Sequence, residues 1–158
     1  MMKYEQTQYG WFVIIVFLLV IGFLFLAYLN QWGNNPIPRT PFLIMIAVFI
    51  TPLALFYKMT IRVEERTVRI IYGIGLIRKE FSPERILNME IYKIPWYYGM
   101  GIRITHEGWL YSLNSFKSVK ITFPKDGKNK TILIGSPEPE KLIAVLEVHF
   151  PDYEPVIS

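Results

Sequence analysis

The sequence predicts a two-helix transmembrane hairpin followed by an α+β domain, a bent antiparallel sheet of about seven strands capped by a C-terminal helix. Three observations carry that reading. Two uncharged apolar runs, at 11–29 and 42–57, dominate the first third of the chain. From Met59 onward apolar residues recur with a period of two, the mark of half-buried strands. After Ser136 the period becomes helical and remains so to Phe150.

Composition narrows the function classes. The 158 residues allow one modest domain beside the apolar segment. There is no cysteine, which excludes disulfides, a thiolate nucleophile and cysteine-ligated metal. The absence of disulfides also favours a reducing compartment. Net charge is +4, and residues 58–158 carry fifteen Lys/Arg against twelve Asp/Glu. That excess is too thin for a nucleic-acid-binding face, so no nucleic acid is expected as a partner.

Residues 1–10 are a polar tail, expected in the cytoplasm and too short to fold alone. The run 11–29 follows, WFVIIVFLLVIGFLFLAYL, nineteen residues without a charge. As a helix it reaches about 28 Å, close to the hydrocarbon thickness of a bilayer. Tyr9, Trp11, Tyr28 and Trp32 mark its ends, where amphipathic rings prefer the headgroup region. The run exceeds the apolar core of a secretory signal and lacks a small-residue cleavage site.

Residues 30–41 form an external turn, rich in the turn formers Gly33, Asn34, Asn35, Pro36 and Pro38. The second run, 42–57, contains Pro52, which a membrane helix tolerates when neighbours such as Thr51 help satisfy the freed carbonyls. Lys58, Arg62, Arg66 and Arg69 follow it and Lys3 precedes the first run, whereas the turn holds only Arg39. Positive-inside counting therefore puts both termini in the cytoplasm, with 58–158 as a cytoplasmic domain. The same four juxtamembrane basic residues are candidates to touch anionic lipid.

Strands are expected near 59–64, 68–73, 76–81, 86–93, 101–106, 109–114, 118–123 and 130–135, seven or eight depending on how the middle divides. Ser82-Pro83-Glu84-Arg85 reads as one helical turn between two of them. Ser136 is the expected N-cap of the last helix, with Pro137 at its first position and Glu138 and Glu140 suiting its positive end. Leu142, Val145, Leu146 and His149 recur at helical spacing, and the helix ends before Pro151.

Three stretches carry a resemblance: Pro95-Trp96-Tyr97-Tyr98-Gly99-Met100-Gly101-Ile102-Arg103, Gly108-Trp109-Leu110-Tyr111, and Ile134-Gly135-Ser136-Pro137-Glu138. Together with the paired apolar runs, the chain resembles the bacterial pleckstrin-homology-like (PH-like) membrane proteins with two N-terminal helices. The resemblance spans essentially the whole chain. It implies the PH superfold and a bacterial cytoplasmic membrane, and little about activity, since such folds serve as binding modules for many ligands. Phosphoinositide binding is not implied, because the loop joining the first two strands is Glu64-Glu65-Arg66-Thr67 rather than a basic cluster.

No catalytic constellation is legible. His106 and His149 are the only histidines and stand 43 positions apart; no serine sits in a nucleophile elbow. Gly73-Ile74-Gly75 and Gly99-Met100-Gly101 lead into no phosphate-binding helix. No metal or cofactor is expected. Trp96-Tyr97-Tyr98 admits three readings: a structural corner of the sheet, a loop at the membrane surface, or a pocket for a partner or ligand. Arg103, alternating with Ile102 and Ile104, is expected to point away from the core toward a strand neighbour or a lipid phosphate. The expected function is that of a non-enzymatic, membrane-anchored interaction or assembly module on the cytoplasmic face. The alternative is lipid or small-ligand sensing at the bilayer surface. Expected partners are membrane lipids around the hairpin and a membrane protein or second copy of the chain.

Overall fold

A computed structural model describes residues 4–99 and 101–153. The chain runs β1 (Tyr4–Tyr9), α1 (Trp11–Leu29), α2 (Arg39–Phe56), β2 (Lys58–Glu64), β3 (Thr67–Tyr72), β4 (Ile77–Phe81), β5 (Asn88–Lys93), a 3-10 turn (Trp96–Tyr98), β6 (Gly101–Thr105), β7 (Gly108–Ser112), β8 (Lys117–Lys125), β9 (Lys128–Gly135) and α3 (Pro139–His149).

Both apolar runs are helices long and apolar enough to cross a membrane. Their burial separates them from the core helices of a soluble protein. No residue of α1 is buried, and Phe42 alone is buried on α2. The two helices pack on each other through aromatic rings, Phe17 against Phe49 edge-on and Tyr28 stacked on Phe42 at 4.1 Å. Pro52 sits inside α2; the Thr51 hydroxyl donates to Ala47 O at 2.8 Å, one carbonyl before the one that proline frees. The other residues of the two helices are exposed or half-buried, and nearly all of them are apolar.

The strands form two sheets rather than one bent sheet. The first has the order β1-β2-β3-β4 and is antiparallel throughout; the second has the order β5-β8-β9-β7-β6. The chain leaves the first sheet at β4 and enters the second at β5 through residues 82–87, where no helical turn forms. Pro83 disfavours a helical Ser82, Pro83 and Ile86 are buried, and Leu87 N already donates to Thr122 O of β8. That crossing divides what alternation alone reads as one meander. A parallel pair, β7 with β9, joins the β6–β7 hairpin to the β8–β9 hairpin within the second sheet.

The N-terminal segment expected to be a tail is instead β1, in register with β2 from Tyr4↔Val63 to Tyr9↔Lys58. The strand gains its stability from pairing, which an isolated decapeptide lacks. Its side chains reach the start of α3. Gln8 Nε2 donates to Gly135 O at 2.6 Å, and Ser136 Oγ donates to Gln6 Oε1 at 2.8 Å. Ser136 also accepts from Glu138 N, so this fully buried serine fastens β1 to the turn before α3. The helix therefore starts later than expected, with Pro139, not Pro137, inside its first turn and Glu138 at the N-cap position. Lys3, counted in the orientation argument, lies outside the described residues.

The main core lies between the sheets. Met59, Ile61, Val63, Val68, Ile70 and Tyr72 face Val119, Ile121, Phe123, Ile132 and Ile134, and Leu142, Leu146 and Phe150 of the α3 region close it. A smaller cluster on the outer face of the second sheet joins Ile94, Leu110 and Leu133 with Tyr92 and Tyr98.

Candidate functional site

The helices meet the sheets without a linker. Gly10 alone separates β1 from α1, and Tyr57 alone separates α2 from β2; Gly10 N donates to Tyr57 O at 2.9 Å. The β3–β4 turn is folded onto the end of α2, with Ile74 N donating to Ala54 O and Gly73 N to Lys58 O. Gly73 has φ +52°, and a Cβ there would meet Ala54 O and Leu55 O, so the close approach requires glycine. Leu113, after β7, packs beside Gly10. Loops of both sheets thus gather around the base of the hairpin.

Those loops carry apolar side chains that face outward. Ile74 and Leu76 stand exposed beside the last turn of α2. On the side of the second sheet, Trp96 is 82% exposed and Phe116 69%. Between them runs a cleft of about 420 Å³ lined by Phe12, Ile94, Pro95, Trp96, Gly99 and Phe116, among others. Phe12 belongs to the first turn of α1, so the cleft opens beside the apolar helix surface. A second cavity, about 290 Å³, is lined by Val13, Phe56, Ile102, Arg103 and Leu113.

The aromatic triplet divides by role. Trp96–Tyr98 forms one 3-10 turn, closed by Tyr98 N donating to Pro95 O and Gly99 N to Trp96 O. Tyr98 is half-buried and packs against the cluster of Ile94, Leu110 and Leu133. Trp96 and Tyr97 remain exposed and meet edge-on, and Tyr97 in turn meets Tyr98 edge-on. Met100, in the same run, lies outside the described residues. Arg103 on β6 is exposed, as expected, and has no ion pair among the described residues. Its guanidinium lies against Gly99, where a Cβ would sit 3.2 Å from Nη2. Arg103 lines the second cavity and lies against Gly99, a wall residue of the first.

The four basic residues after α2 behave differently from one another. Arg62 pairs with Glu5 of β1 at 2.9 Å, Arg66 with Asp152 at 2.6 Å, and Arg69 with Glu80 at 3.0 Å. Arg66 also stands beyond the far end of β2, whose seven residues carry the chain roughly 23 Å from the helices. Only Lys58 stays at the base, over the Tyr57 ring at 5.4 Å. Lys93 and Lys117 are not among the residues expected from the sequence to touch lipid; they adjoin two lining residues of the cleft in the chain without lining it themselves. They are register partners at the β5–β8 ladder end, immediately before Ile94 and after Phe116. Both are exposed and neither has an ion pair among the described residues. Like charges opposed across a ladder are destabilising unless an anion joins them.

Elsewhere the titratable groups are arranged structurally. Lys120 bridges Glu90 at 2.9 Å and Glu107 at 2.6 Å, and those bonds raise its pKa above the ordinary lysine value. Burial first, then the neighbouring Tyr98 and Glu107, raises Tyr92. Burial raises Tyr72 strongly, and its hydroxyl has no hydrogen-bond partner. His106 lies exposed in the β6–β7 turn, and His149 Nδ1 is 2.8 Å from Val145 O on the last turn of α3. Among the described residues no three His, Cys, Asp or Glu gather as a metal site.

Phe116, Ile74 and Leu76 were missed by reasoning from periodicity. The signal was present: apolar residues inside glycine- or serine-marked turns, where polar residues belong, have no strand face to explain them. Compared with protein-family models, curated protein sequences and solved structures, the chain matches none.

Proposed function

We propose that the chain is a non-enzymatic, membrane-anchored interaction module, a PH-like domain held against the cytoplasmic face of a bacterial membrane by a two-span hairpin. The observation that carries this is the direct splice of both helices into the first sheet, reinforced by the β3–β4 turn on α2. Two exposed apolar helices need hydrocarbon around them, and a domain joined to them without linker has its pose fixed by them. A fixed pose suits recognition of something that is itself at the membrane, a membrane protein or a second copy of the chain. Strand-then-helix order and a closing C-terminal helix support the PH-like reading; the N-terminal β1 and the parallel β7–β9 pair are departures from the simple meander it implies.

Two experiments test this. The chain has no cysteine, so Asn35→Cys and Asp126→Cys each provide a single labelling site. In right-side-out vesicles an impermeant thiol reagent should label position 35 and not 126; the reverse pattern, or labelling of both, refutes the topology. Crosslinking in native membranes followed by purification in mild detergent should recover a partner, in lower yield with Trp96→Ala or Tyr97→Ala. A chain recovered alone and monomeric in every case refutes the assembly role.

A further inference from the structure

We propose that the cleft at the base of the second sheet is a binding site for an anionic phospholipid of the surrounding bilayer, its acyl chain between Phe12, Trp96 and Phe116 and its phosphate on Arg103. The proposal rests on the reading of α1 and α2 as membrane spans.

Three independent features meet there. The cleft is continuous with the surface of α1, because Phe12 both lines it and lies 63% exposed on the first helical turn. Hydrocarbon that covers α1 therefore reaches the mouth of the cleft, whose lining is apolar apart from Asn114, Ser115 and the Gly99 backbone. Its walls are exposed aromatics, Trp96 and Phe116, from two separate loops; in water such residues would be uncovered apolar surface, whereas at the headgroup level an indole is at home. Ile74 and Leu76, from the other sheet, face outward beside the last turn of α2, so apolar loops flank the hairpin from both sheets.

The charges complete the match. Arg103 lies against Gly99 of the cleft wall, Lys93 and Lys117 flank Ile94 and Phe116, and all three are without ion pairs among the described residues. The arginines farther from the helices, Arg62, Arg66 and Arg69, are each paired with a carboxylate. Among the described residues Arg78, Lys79, Arg85, Lys125 and Lys128 are also without ion pairs, so what marks Arg103 is its position against the cleft wall rather than the lack of a partner. A guanidinium offers a planar donor fork to phosphate oxygens, and the two lysines add positive field. Gly99, with φ +65°, lets the loop bring the aromatic and the cationic wall together.

The test uses the full chain in phosphatidylcholine vesicles with or without phosphatidylglycerol. Of the four tryptophans, Trp11, Trp32 and Trp109 are changed to Phe, leaving Trp96. Phospholipid brominated near the carbonyl end of its chains should quench Trp96 strongly. A control chain carries Leu19→Trp, at the outward-facing middle of α1, with all other tryptophans changed to Phe; deep-brominated lipid should quench it. Quenching of the control without quenching of Trp96 overturns the site and leaves the spans standing, whereas absence of both overturns both. Native mass spectrometry should also show phosphatidylglycerol retained over phosphatidylcholine. Arg103→Gln, then Lys93→Gln and Lys117→Gln, should lower that preference by about fivefold per charge. Equal retention by the unmodified chain, or a polypeptide found crosslinked in the cleft in place of lipid, overturns the proposal.

Discussion

The junction between hairpin and domain depends on one missing side chain. Gly73→Ala would drive a Cβ into Ala54 O and Leu55 O, both backbone atoms that cannot swing aside. The residue also holds φ +52°, which costs a non-glycine residue about 1–2 kcal/mol. Forcing the turn away from α2 adds about 1–3 kcal/mol, the usual range for overpacking. Together these predict a loss of about 2–5 kcal/mol, a large fraction of the roughly 5–15 kcal/mol by which a domain is stable. At about 4–8 °C per kcal/mol, the apparent melting midpoint should fall by at least about 8 °C. Circular dichroism of the purified chain in mild detergent, at one scan rate, measures it. Two controls separate the terms. Gly101→Ala carries positive φ with open space around it and should lose only the strain, while Gly22→Ala, in α1 with nothing near its Cβ, should lose nothing. A Gly73→Ala midpoint equal to that of Gly101→Ala would refute the claim that the turn is docked on α2.

Other substitutions probe the rest of the fold. Leu146→Ala empties a fully buried position beneath both sheets and should cost about 2–5 kcal/mol, read as the same midpoint. Ser136→Ala removes the bonds to Gln6 and Glu138 and should cost about 1–3 kcal/mol, with amide exchange in β1 accelerating more than in β3. Tyr72→Phe deletes a buried hydroxyl without a partner and should be neutral or stabilising. For pH, Tyr72, Tyr111 and Lys120 all have pKa values raised in the folded state, so each contributes stability that is complete below its unfolded value and declines as pH rises toward the folded one. Stability should therefore fall above about pH 10, where free tyrosine and lysine titrate, and Tyr72→Phe should flatten that fall. A decline of unchanged steepness in the variant would remove Tyr72 from the account.

The sequence by itself determined what local pattern can encode. Unbroken apolar runs fixed both helices, since hydrophobicity over about twenty residues needs no partner to be read. Period-two alternation located eight of the nine strands within two residues, because a strand's two faces are written in its own side chains. What the tertiary structure alone decided is how those pieces close on one another. The split into two sheets depends on the buried crossing at Pro83 and Ile86, and β1 exists only because β2 offers it an edge; neither has a local periodicity. The candidate site is of the same kind. The sequence marked Trp96, Tyr97 and Arg103, but Phe12 and Phe116 line the cleft with Trp96 only through the β5–β8 register and the splice at Gly10, which bring distant positions together at the foot of α1. Likewise Arg62, Arg66 and Arg69 look like lipid contacts in one dimension, and their carboxylate partners lie 57, 86 and 11 positions away. Local pattern specifies which residues can be buried; only the assembled surface specifies which charges remain unpaired, because pairing is a property of neighbours in space.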